Sequence, residues 1–143
     1  MMNIKHALIN FSLLFFITSH ATQAQMAKPS PTMGPIEMCE KKMKILSKIS
    51  ACLDIEKRNK DQELETWITN QTLILKELAT NTGRSSAYNM FERSQRNFVK
   101  YRENNCRWQF LAITFNTSAA IAYKKCYIRL TQYRIDEFMK INQ

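Results

Sequence analysis

The stretch Leu53–Gly83, LDIEKRNKDQELETWITNQTLILKELATNTG, contains no proline, and its single glycine is its last residue. Leu64, Trp67, Ile68, Ile74, Leu75 and Leu78 recur along it at helical spacing and make one apolar face. The rest is largely Lys, Glu, Gln, Arg, Asn and Thr, suited to the solvated side of a helix. This pattern predicts one long helix from about residue 53 to residue 80. Asn81-Thr82-Gly83 ends it, because glycine tolerates the left-handed conformation of a helix cap.

The same texture extends outward. Beyond Pro35 there is no proline, and Gly83 is the only glycine. A sheet would need more turns, so the chain reads as all-α. A short helix is expected between Cys39 and about Ser50. After Gly83, Ser85 or Ser86 can cap a third helix running to about Leu111, with Tyr88, Phe91, Phe98, Val99 and Phe110 inward. Ile113 to Ser118 is a polar, β-branched break. Ala119 to about Ile141 is the last helix, with Ala122, Cys126, Leu130, Tyr133 and Ile141 expected inward. The predicted architecture is an antiparallel helical hairpin or small bundle, three main helices plus a short N-terminal one.

The N-terminus reads differently. A weakly basic start precedes the apolar run ALINFSLLFFIT at residues 7–18, and Thr22-Gln23-Ala24 places small residues where a signal peptidase cuts. Residues 1–24 are therefore expected to be a secretory signal peptide. Residues 25–36, with all three prolines, read as an extended linker, and residues 37–143 as the helical domain. The expected location is the periplasm or the extracellular medium, with no membrane-spanning segment left after cleavage. His6 and His20, the only histidines, leave with the leader. A chain without imidazole is a poor candidate for nucleophile–histidine or zinc chemistry, so a binding function is expected rather than an enzymatic one.

Loss of Lys5 lowers the formal charge from +9 to +8. That charge is uneven. Glu37–Leu78 holds eight acids and eight bases, whereas Ala79–Gln143 holds four acids and eleven bases. The C-terminal half carries the field, which points to an anionic partner as one option.

Four cysteines in an exported chain imply two disulfides, with three possible connectivities. In one unbroken helix Cys39 and Cys52 would sit about 20 Å apart, and a disulfide needs Cα atoms within about 7 Å. Their pairing requires the chain to turn between Lys41 and Ser50. Cys106–Cys126 is easier, because the break at 113–118 folds the last helix back on the third. Cys39–Cys52 with Cys106–Cys126 is thus favoured over the crossed pairings. The spacing contains no C-x-x-C element, and no metal or other cofactor is expected.

The run Phe91–Cys106, FERSQRNFVKYRENNC, resembles the central motif of the LprI-like family, small exported bacterial proteins named after a lysozyme inhibitor. That motif reads Q-x-x-W-x-x-Y-R-[DE]-x-x-C. Gln95, Tyr101, Arg102, Glu103 and Cys106 fall in register, and Phe98 stands at the tryptophan position. Cys126 to Thr131, with Arg134 and Phe138, is similar to the closing segment C-x-x-x-L-T-x-x-R-x-x-x-L. Cys39, Cys52, Asp61 and Leu64 resemble the opening pattern, with Glu65 in place of Asn and Ile68 in place of Tyr. The resemblance spans Cys39 to Phe138 and implies an all-α fold with two disulfides. It also implies a protein-interaction module, with lysozyme as one partner. Lysozymes are commonly basic, so a positive chain would meet one through a local acidic patch such as Asp54, Glu56, Asp61, Glu63 and Glu65.

Two sets of residues stand out. Gln95 and Arg102 lie seven apart on the face that carries Phe91 and Phe98, and a buried arginine needs a partner. In a hairpin turning near Gly83, Arg102 comes level with Leu64, bringing Asp61 and Glu63 within reach. By the Cys106–Cys126 register, Gln95 comes level with Glu137. Arg102 with Asp61, and Gln95 with Glu137, are expected to form interhelical polar clamps. The second set is Arg93, Arg96, Lys100 and Arg107, within about 60° of one another opposite the apolar face. With Trp108, and with Lys124, Lys125 and Arg129 on the next helix, they make a candidate surface for an anionic envelope polymer, a lipid headgroup or an acidic protein. Nucleic acid is not expected, since stacking aromatics are scarce.

Overall fold

The computed structural model describes residues 33–113 and 117–141. The stretch expected to be a signal peptide and most of the stretch expected to be a linker lie outside the described residues. Four helices make up the domain: α1 (Pro35–Lys42), α2 (Leu46–Thr82), α3 (Ser86–Leu111) and α4 (Thr117–Ile141). There is no strand among the described residues.

Helix α1 begins with proline in its first turn, where the missing N–H costs nothing. It therefore starts four residues ahead of Cys39. The chain then turns through Met43, whose extended backbone (φ −107°, ψ 134°) breaks the helix. The break falls within 43–45, so α2 starts at Leu46 rather than near Leu53 and runs 37 residues. This early turn brings the Cα atoms of Cys39 and Cys52 to 5.7 Å and allows their disulfide. Gly83 ends α2 in the left-handed region (φ 70°), its N–H donating to the Ala79 carbonyl. The expected serine cap of α3 is absent: Ser85 has helical backbone angles and makes no side-chain cap bond. Its carbonyl simply accepts the Asn89 N–H at 3.0 Å.

Helices α2, α3 and α4 run alternately up and down. Helix α4 is the centre of the packing, with α2 on one side and α3 on another, while α1 lies on α2 and reaches α4 around Lys125 and Ile128. Cys39, Leu53, Ile121 and Ile128 form one part of the core, with Ile36 and Ile49 against it. Cys106, Cys126 and Tyr127 form a second part. The Cys106–Cys126 disulfide there has a Cα separation of 5.5 Å. Leu64, Ile135 and Phe138 form a third, closed by Trp67, Ile68, Phe91 and Phe98.

Two expectations about the inward faces are corrected. The most buried line of α4 runs through Ile121, Ile128 and Ile135. Ile128 lies about 160° round the helix from Cys126, on which the expected face was centred. Both sides of α4 are covered, so its disulfide edge was only one of two buried arcs. Tyr133 and Ile141 project to solvent instead, as do Val99 on α3 and Ile74 and Leu78 on α2. Phe91 packs edge-to-face on Phe138 with ring centroids 5.9 Å apart. The hairpin beyond Phe91 therefore overhangs the end of α4, and among the described residues no third helix covers it.

Candidate functional site

A polar knot lies where α2, α3 and α4 meet. Arg102 is 7% exposed. Its Nη1 donates to Asp61 Oδ1 at 3.1 Å and to Thr131 Oγ1 at 2.8 Å. Its guanidinium carbon lies 3.8 Å from the centroid of the Tyr127 ring and 5.2 Å from that of Phe98. The planar cation is thus held by one carboxylate, one hydroxyl and two rings, which together replace its lost hydration. Thr131 is fully buried, and its hydroxyl in turn donates to the Tyr127 carbonyl at 2.8 Å. Asp61 also accepts from Lys57 Nζ at 3.0 Å, and that ammonium lies 3.9 Å from the Tyr127 ring centroid. Burial raises the Tyr127 phenol above its ordinary pKa, while the Arg102 cation pulls the other way. The knot costs something, since the buried Arg102 Nε has no hydrogen-bond partner.

The second expected clamp has a different partner. Gln95 is almost fully buried and its Oε1 accepts from Arg134 Nε at 3.3 Å. Arg134 then reaches Glu137 Oε2 at 2.7 Å through Nη1 and Ser94 Oγ at 2.9 Å through Nη2. Gln95 and Glu137 are therefore linked through Arg134 rather than paired with each other. Phe91 meets Phe138 and Gln95 meets Arg134, so Gln95 comes level with Arg134, about one turn before the Glu137 that the disulfide register suggested. Arg134 stood in the closing sequence motif without a role, and its i,i+3 spacing to Glu137 was the available signal.

The expected basic surface divides into two groups. Lys124 is engaged inward: its Nζ donates to Asp54 Oδ2 at 2.6 Å, to Ser50 Oγ at 2.7 Å and to the Ser50 carbonyl at 3.2 Å. Lys125 Nζ donates to Glu40 Oε1 at 2.5 Å. These two lysines fasten α4 to α2 and α1, so they are corrected from binding surface to structural ties. Arg93, Arg96, Lys100 and Arg107 are exposed on α3. Arg96 has only a loose contact with Glu92 at 3.7 Å, both ends open to water. Trp108 is 59% exposed, and its indole N–H donates to Asn105 Oδ1 at 3.2 Å.

The acidic patch is also partly spent internally. Asp54 and Asp61 hold Lys124 and Arg102, and Glu63 holds Lys60 at 2.6 Å. Glu65 remains at the surface of α2, where with Thr66, Thr69, Asn70 and Leu73 it lines a shallow cleft of about 370 Å³. On the far side, Tyr123 donates to Glu103 Oε2 at 2.6 Å, and burial with that carboxylate pushes its pKa up to about 12. Among the described residues no group of His, Cys, Asp and Glu is placed to hold a metal ion, and no helix is long and apolar enough to cross a membrane.

These features define a helical, doubly cross-linked protein whose ionic interior is structural and whose outer helix faces differ in charge. Residues 39–138 match the lysozyme inhibitor LprI family, and the chain belongs to that family. No curated protein and no solved structure matches it.

Proposed function

We propose that this chain is an exported, non-enzymatic binding protein of the lysozyme-inhibitor type, and that it meets a basic enzyme with the outer face of α2. The family match carries this reading, because it begins at Cys39 and ends at Phe138, and so includes both disulfides and all three core segments. The outer face of α2 suits a positively charged partner better than α3 does, since its exposed acids offset Arg58 and Lys76, whereas the α3 stripe is basic throughout. Glu65 and Glu77 are exposed there, and the shallow cleft of Glu65, Thr66, Thr69, Asn70 and Leu73 offers hydrogen-bonding groups beside a largely apolar wall. Helix α3 would repel such an enzyme through Arg93, Arg96, Lys100 and Arg107.

The test is inhibition of a purified basic lysozyme by the oxidised protein, measured over a range of salt. Inhibition is expected, persisting at moderate salt. Glu65→Lys and Leu73→Asp should each weaken it on the order of tenfold without changing the helical circular dichroism. Absence of inhibition, or inhibition untouched by both substitutions, would overturn the assignment to this face.

A further inference from the structure

We infer that the outer face of α3 is a second, separate docking surface, built to lie flat on an anionic phospholipid membrane. Arg93, Lys100, Arg107 and Arg96 fall on one stripe within about 60° of arc, and they span about 21 Å of helix at 1.5 Å per residue. Of the seven other cations after residue 79, Arg84, Arg129 and Lys140 are exposed away from this stripe, and the remaining four are held in structure-making contacts. Arg102 is buried, Lys124 and Lys125 are tied to Asp54 and Glu40, and Arg134 is held by Gln95, Ser94 and Glu137. The α3 stripe is thus the one place among the described residues after residue 79 where four exposed cations share one helix face.

Large apolar and aromatic side chains border that line. Leu111, Trp108, Met90 and Tyr101 lie within about 80° of Arg93 on the same helix. They are 55%, 59%, 59% and 56% exposed. The fold does not need them, because the buried side of α3 carries Gln95, Arg102 and Cys106, roughly opposite. Tryptophan and tyrosine prefer the boundary between lipid headgroups and acyl chains, and basic side chains beside them reach the phosphates. An acidic protein or a soluble polyanion would satisfy the arginines and lysine but would leave this apolar border in water. A membrane surface uses both. The stripe is straight and convex, which suits a plane better than a narrow partner.

The probe is vesicles of phosphatidylcholine containing a minority of phosphatidylglycerol, against vesicles of phosphatidylcholine alone. The oxidised protein carries Trp67→Phe, so that Trp108 is the only tryptophan reporting. Binding to the anionic vesicles is expected, with a blue shift of the Trp108 emission. Lys100→Ala should reduce the partition coefficient about fivefold. Trp108→Ala in the otherwise native protein should reduce it several-fold by co-sedimentation. Arg58→Ala, an exposed cation on α2, should leave it unchanged. No preference for anionic vesicles would overturn the proposal. So would binding without a blue shift and insensitive to Trp108→Ala, which would mark a purely electrostatic polyanion site. An equal loss in Arg58→Ala would also overturn it, since the attraction would then be diffuse. Lysozyme inhibition plays no part in these readouts, so either proposal can fail alone.

Discussion

The two ends of this molecule are built from the same kind of helix and differ in almost everything else. At the disulfide end four helices converge, and Cys39, Leu53, Cys106 and Ala119 are essentially without solvent contact. Both cross-links and the ties of Lys124 and Lys125 lie in that half. At the hairpin turn α2 and α3 continue past the end of α4, and Leu73, Ile74, Leu78 and Met90 stand in water. Burial is therefore a property of what covers a helix and not of the helix alone. The covered end holds the structure in place, while the outer faces remain available for contact.

The contrast is broken most forcefully at the base. Replacing Cys106 and Cys126 together by serine should cost about 3 kcal/mol or somewhat more in denaturant unfolding, because the 20-residue closure no longer restrains the unfolded chain. Close behind is Arg102→Ala, expected to cost about 3 kcal/mol. Its effect sits at the low end for a buried pair because Asp61 is one-third exposed and keeps Lys57. Arg102→Lys should recover little, since an ammonium cannot serve Asp61, Thr131 and the Tyr127 ring from one plane. A negligible change in either protein would mean that the interior tolerates loss of the knot and that stability is spread along α2 and α3.

At the other end, Ile74→Ser or Leu78→Ser should shift stability by no more than about 0.5 kcal/mol. A larger loss, or one that grows with protein concentration, would show the hairpin tip to be covered in solution and would redraw the comparison. The smallest effect is confined to alkaline pH. Tyr123 has its folded pKa raised from 10.0 to about 12, so its neutral form is favoured in the native state. The stability this contributes is complete below pH 10 and lost as pH rises through about 12. Tyr123→Phe should flatten that decline in a pH series of thermal melts while leaving neutral pH nearly unchanged.

Much of this arrangement was legible in the residues. The proline-free chain with its lone Gly83 announced helices and the position of their main turn. The register through that turn placed Arg102 near Asp61, because antiparallel helices with a short connection leave few choices of level. Other features were hidden for physical reasons. The break at 43–45 carries no glycine or proline, so its position depends on the geometry that closes Cys39 on Cys52. The central role of α4 was obscured because Lys124, Lys125 and Arg129 interrupt its apolar pattern, and the first two turn out to bond neighbouring helices. Val99, Ile74 and Tyr133 read as core from residue type and placement along their helices, but each is left exposed because no neighbour covers it.

From the amino-acid sequence alone came the helical class, the hairpin at Gly83, the favoured cysteine pairing and the concentration of positive charge after residue 79. These follow from local conformational preference, chain connectivity and composition, which need no knowledge of packing. Only the tertiary structure decided which charges are spent in ion pairs and which face water, and which apolar residues are core and which are surface. A side chain's burial and pairing depend on the neighbours that reach it, and those neighbours come from distant parts of the chain.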